Sequence, residues 1–104
     1  MTNPTAKQLI SLDTLYKVVA FRNSGDSSDE GGRRITPQGG NVNLYHSDST
    51  TQPANLAAMN LATYDTAFSE SRPLDTMTTY IACTGTATEV YITGFKLLEL
   101  GAIS

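Results

Sequence analysis

The residues able to do chemistry fall in a few short stretches. Asp26-Ser-Ser-Asp-Glu-Gly places the carboxylates of Asp26, Asp29 and Glu30 close together, and carboxylate oxygens are the ligands that a hard cation such as Ca²⁺ takes. The spacing breaks the alternate-position scheme of an EF-hand loop, and no distal bidentate Glu follows, so a solvated acidic loop is expected. His46-Ser47-Asp48 holds the residue types of a hydrolase triad. A triad is assembled from separate segments, and no Gly-x-Ser-x-Gly elbow accompanies this run. It reads as a strand-end His followed by a polar turn. With one His and one Cys in the chain, a His/Cys transition-metal site is not expected. Gly39-Gly40 is followed by no Lys and opens no helix, so it is a turn and not a phosphate cradle. No catalytic residue, metal or cofactor is expected, and the chain reads as a non-enzyme.

The tyrosines, Tyr16, Tyr45, Tyr64, Tyr80 and Tyr91, have two readings. An aromatic platform on a β-sandwich can stack against sugars, which makes a carbohydrate-binding module on a host-recognition fibre the alternative function. Trp is absent, however, and Tyr equally serves protein interfaces. The interface reading is preferred.

Composition narrows the partners. The chain has 104 residues, enough for one domain with one core, and a net charge of −3. Beyond Arg33-Arg34 no basic cluster exists, so neither nucleic acid nor an anionic membrane surface is an expected partner. Only 16% of residues are charged, which suits a surface partly covered by other proteins. Cys83 stands alone, which fits a reducing compartment. The N-terminus lacks the basic start and apolar run of a signal peptide, and no apolar stretch is long enough for a membrane helix.

These residues must be positioned by β-structure. Tyr80 to Thr93 contains two alternating runs, with Ile81 and Cys83 on one face of the first and Val90 and Ile92 on one face of the second. The link Thr84-Gly-Thr-Ala87 predicts a C-terminal hairpin. Apolar parity then shifts to Phe95 and Leu97, which predicts a β-bulge at Gly94. Leu15 to Arg22 reads as a strand with apolar groups on both faces, either central or at an interface. Val42 and Leu44 alternate with Asn41, Asn43 and Tyr45, as in a half-buried strand. Pro37 argues against a central strand near Ile35. Asn55 can cap a helical turn near Leu56–Met59, followed by an extended run to Phe68. Asn23 to Arg34 has no apolar anchor before Ile35 and reads as an exposed loop. Residues 1–12 read as an extended arm, and 13–104 as a single domain. The predicted fold is all-β: an antiparallel β-sandwich or jelly roll with a C-terminal hairpin and at most one short helical turn.

Gly39-Gly-Asn-Val-Asn-Leu-Tyr45, Pro53 with Met59, and Thr79-Tyr-Ile-Ala-Cys-Thr-Gly-Thr-Ala-Thr-Glu-Val-Tyr-Ile-Thr-Gly94 resemble the small β-sandwich virion proteins of tailed bacteriophages, which include capsid decoration (cement) proteins and head or tail accessory proteins. The resemblance implies a protein assembled in the host cytoplasm and located on the virion. It would bind the major capsid protein or other virion proteins, often as a homo-oligomer and typically a trimer. It carries no binding residue over by position. From the residues themselves, the expected contact elements are the N-terminal arm with Leu9, Ile10 and Leu12, the apolar strand with Tyr16 and Val18, the loop with Asp26, Asp29, Glu30, Arg33 and Arg34, and the outward Tyr45 and Tyr91.

Overall fold

The computed structural model describes residues 6–21, 33–61, 67–74 and 77–104. In chain order these form β1 (Gln8–Ile10), β2 (Thr14–Phe21), β3 (Arg34–Gln38), β4 (Val42–Ser47), a 3-10 turn (Leu56–Ala58), β5 (Asn60–Leu61), β6 (Arg72–Pro73), β7 (Tyr80–Gly85), β8 (Glu89–Thr93) and β9 (Phe95–Ala102). Two antiparallel sheets result, ordered β1-β8-β3-β6 and β5-β4-β7-β2-β9. The fold is therefore an all-β sandwich, as the alternating runs predict.

Alternation builds the core between the sheets. Ile10, Ile35, Val90 and Ile92 enter from the first sheet; Tyr16, Val42, Leu44, Ile81, Cys83, Phe95 and Leu97 enter from the second. The opposite face of β7 is also covered. Tyr80 and Ala82 pack with Leu15, Met59 and Ile103 in a second cluster, joined by the partly buried Tyr45, Leu56 and Leu100. The 3-10 turn supplies part of that cover. Asn55 Oδ1 accepts from the Ala58 N–H (3.0 Å), which caps the turn as predicted. The C-terminal tail holds it down, with Leu56 N–H donating to the Ser104 carbonyl and Ile103 N–H to that of Asp13, both at 3.0 Å.

The predicted C-terminal hairpin is not formed. β7 pairs with β4 and β2, whereas β8 pairs with β3 and β1 in the other sheet. The reason lies in a segment distant in sequence. The Thr86 and Ala87 N–H groups both donate to the Asn41 carbonyl (2.9 and 3.0 Å), and Thr88 N–H donates to Gln38 (2.9 Å). The link is thus tied to the β3–β4 turn instead of closing on itself. Gln38 pairs with Glu89 before this corner, and Val42 pairs with Gly85 after it. Each strand advances by the same number of residues, so β3–β4 and β7–β8 form one antiparallel ribbon folded over both sheets without a register change.

Gly94 is likewise not a bulge. β8 ends at Thr93 and β9 begins at Phe95, paired with β2 in the opposite sheet. The parity flip marks this change of sheet, and the φ of +80° at Gly94 is one that Gly adopts without a Cβ penalty. Register shifts occur instead in the β2–β9 ladder, between Leu15 and Tyr16 and between Val18 and Ala20.

Pro37 does lie inside a strand that has neighbours on both sides. Its position removes the conflict. β6 pairs only with Arg34 and Ile35, so among the described residues no strand flanks the Pro37 half of β3 on that side. The Gln38 carbonyl faces β8; by alternation the Pro37 nitrogen faces away from it, where no ladder bond is lost.

Candidate interaction surface

The structure separates the expected contact residues into core and surface. Ile10 and Tyr16 are core residues, a correction to their assignment as contacts. In Leu9-Ile10 alternation sends one residue in and one out: Ile10 is buried, while Leu9 is 61% exposed. Tyr16 is held from both ends. Its hydroxyl accepts from the Ser11 N–H (2.8 Å) and reaches Glu99 Oε1 at 3.5 Å. Leu12 and Val18 are partly buried against the same core. Tyr45 packs on the second cluster. Arg34 is engaged within the fold, with Nε donating to Ser71 Oγ (2.8 Å) and Nη2 to the Ser71 carbonyl (3.1 Å). Arg33 is partly buried beside it. Asp26, Asp29 and Glu30 lie outside the described residues.

Leu9 and Tyr91 are paired across β1 and β8 and form one surface. The Lys7 ammonium sits 4.3 Å from the Tyr91 ring centroid, and the Tyr91 hydroxyl donates to Glu89 Oε2 (2.9 Å). That hydrogen bond, with the carboxylate's charge, pushes the phenol pKa above its ordinary value. Next to this surface a cleft of about 370 Å³ opens between Leu9–Leu12 and Ala87–Val90.

The sequence shows apolar groups on both faces of β2, but the contacts expected there were Tyr16 and Val18, and Leu98 in β9 was missed. The exposed apolar residues of these strands do not share one face, because Phe21 pairs with the buried Phe95 whereas Leu98 pairs with Lys17. Val19, Phe21 and Leu98 are 39%, 47% and 44% exposed. Lys17, also exposed, is the cross-strand partner of Leu98. The signal was present in Leu97-Leu98: two successive apolar residues in a strand cannot both face the core. Leu97 is buried and Leu98 is not.

The chemistry-bearing residues are dispersed. His46 and Ser47 are neighbours in β4 and project to opposite faces. Ser47 is buried, and its Oγ accepts from the Ser49 N–H at 3.1 Å. Among the described residues, no three His, Cys, Asp or Glu side chains gather as a metal site. Among them, too, no helix is long and apolar enough to cross a membrane. Cys83 is buried, and the loss of hydration pushes its thiol pKa up to about 12. Comparison with protein-family models, with curated proteins and with solved structures finds no match to this chain.

Proposed function

We propose that this chain is a non-enzymatic structural protein that acts through protein–protein contact, in the manner of the decoration and accessory proteins of tailed-phage particles that its sequence resembles. The observation that carries the reading is the partial exposure of three large apolar side chains, Val19, Phe21 and Leu98, on the adjoining strands β2 and β9. Removing such side chains from water is worth about 1.5–3 kcal/mol each when burial is complete. These side chains are already about half buried in the domain, so a docked neighbour would gain the remaining half of that stabilisation. The sandwich beneath supplies a rigid support, with β2 fixed between β7 and β9. The partner in this reading is the major capsid protein or another virion protein, and the protein resides on the particle.

The sugar-platform reading receives no such support. Tyr16 and Tyr80 are buried, and Tyr45 leans on the second cluster. These tyrosines therefore do not make a common exposed stacking surface.

The experiment is quantitative mass spectrometry of gradient-purified particles from the phage or prophage that encodes the chain. The reading expects the protein at a fixed copy number relative to the major capsid protein. Its absence from particles, together with abundance in the soluble lysate, would overturn the reading.

A further inference from the structure

We propose that the free edge of β9 pairs antiparallel with β9 of a second copy, about a two-fold axis at Leu98; this deepens the assembly reading and rests on it.

β9 is the last strand of its sheet, with β2 on one side and no strand of the described residues on the other. Which backbone groups point off this edge follows from the ladder. Val18 N–H donates to the Thr79 carbonyl (2.8 Å), on the β7 side of β2. In antiparallel pairing, a residue's N–H and C=O point the same way and alternate along the strand. Leu97, the partner of Val18, therefore turns its N–H and C=O away from β2, and so do Phe95 and Glu99. At Phe95 the edge is already closed: the Gln8 side-chain amide donates to the Phe95 carbonyl. At the other end the β2–β9 register shifts between Glu99 and Gly101. The open ladder thus runs from Leu97 to Glu99, with Leu98 at its centre.

Unpaired strand edges recruit strands. A two-fold axis at Leu98 sets Leu97 opposite Glu99 of the second copy, and Glu99 opposite its Leu97. All of the edge N–H and C=O groups of these residues are then used. On the outer face Leu98 meets Leu98, and Lys96 meets Leu100. No like charges stand directly opposite each other, an arrangement that would be destabilising. Strands β5 and β6, with two residues each, are too short to fill this ladder. β1 is already joined to β9 through Gln8. A closed two-fold contact of this kind yields a dimer, in place of the trimer that the resemblance implies.

The test uses the full chain with Leu98→Cys. Facing residues at a non-hydrogen-bonded antiparallel position have Cα atoms about 4.5 Å apart, within disulfide range. Mild oxidation should give a covalent dimer, while Lys96→Cys, whose opposite residue is Leu100, should not. The native Cys83 is buried and does not compete. In sedimentation equilibrium the unmodified protein should show a monomer–dimer equilibrium. Glu99→Pro, which removes an edge N–H but no bond to β2, should weaken it about tenfold or more. Equal cross-linking of the two Cys variants, a trimer, or a monomer at millimolar concentration would each overturn the pairing. Such a failure would leave particle association untouched, because that is read out separately on the particles themselves.

Discussion

Ile92 and Phe95 reach one core from opposite sheets. Ile92 is paired with Ile35, Phe95 with Phe21, and both side chains are fully buried. The chain changes sheet between them, at Gly94, and changes sheet in the opposite sense at the corner that follows Gly85. Together these crossings lace the C-terminal strands through both layers, so the exposed strand β9 is anchored at its base.

The corner sets the first prediction. A Cβ built on Gly85 lies 2.3 Å from the Asn41 carbonyl oxygen and 2.9 Å from Val42 Cα, and φ there is +133°. Backbone atoms cannot rotate out of the way as a side chain can. Gly85→Ala is expected to destabilise by more than the 1–3 kcal/mol of a strained backbone, roughly, because the clash adds to it. A fall in the urea midpoint checks this, and an unchanged midpoint would mean that the corner is loosely held.

Cys83 makes stability depend on pH. Its thiol is neutral in the fold, with its pKa raised from 9.0 to about 12 by burial. The contribution is fully present below pH 9. It is lost as pH rises toward 12, because the unfolded thiol releases its proton first. Between these limits the wild type should lose about 1.4 kcal/mol per pH unit more than Cys83→Ala. Parallel pH profiles of the two proteins would contradict the buried placement. Thiol reagents should also modify Cys83 only on unfolding.

Tyr16→Phe leaves the Ser11 N–H without its partner. The expected loss is about 0.5–1.5 kcal/mol, the net worth of a typical hydrogen bond, because Ser11 is exposed and water replaces the hydroxyl, with faster amide exchange at Ser11 and along β1. Unchanged exchange at Ser11 would show that the hydroxyl is not what fixes the turn into β2.

Phe21 and Leu97 are neighbours in one ladder with opposite duties. Phe21→Ser should cost about 1 kcal/mol, since only about half of the residue is out of water, yet it should weaken binding to particles. Leu97→Ala should cost about 2–5 kcal/mol through the cavity that it leaves in the core. Chemical denaturation and particle co-sedimentation, run together, separate the two effects.

Side-chain direction was legible in the sequence, because period-two alternation is a local property. Val42 and Leu44, Ile81 and Cys83, and Val90 and Ile92 all face the core as alternation predicts. Strand partnership was not legible. Thr84-Gly-Thr-Ala87 has the length and composition of a hairpin turn, and only the distant Asn41 carbonyl makes it a corner. The same limit applies to the surface. Leu9-Ile10 and Leu97-Leu98 each required one inward and one outward residue, but neither pair states which. The candidate tyrosines divide by strand neighbours that composition does not reveal: Tyr16 and Tyr80 go inward, while Tyr91 stays at the surface between Lys7 and Glu89.

The proposal that this chain works by covering other subunits is tested most directly on particles made without it. Such particles would be heated with and without the purified protein, and the temperature of genome release recorded. A higher release temperature that saturates with added protein, and that Phe21→Ser abolishes, is the predicted result. The same release temperature at every protein concentration would contradict it.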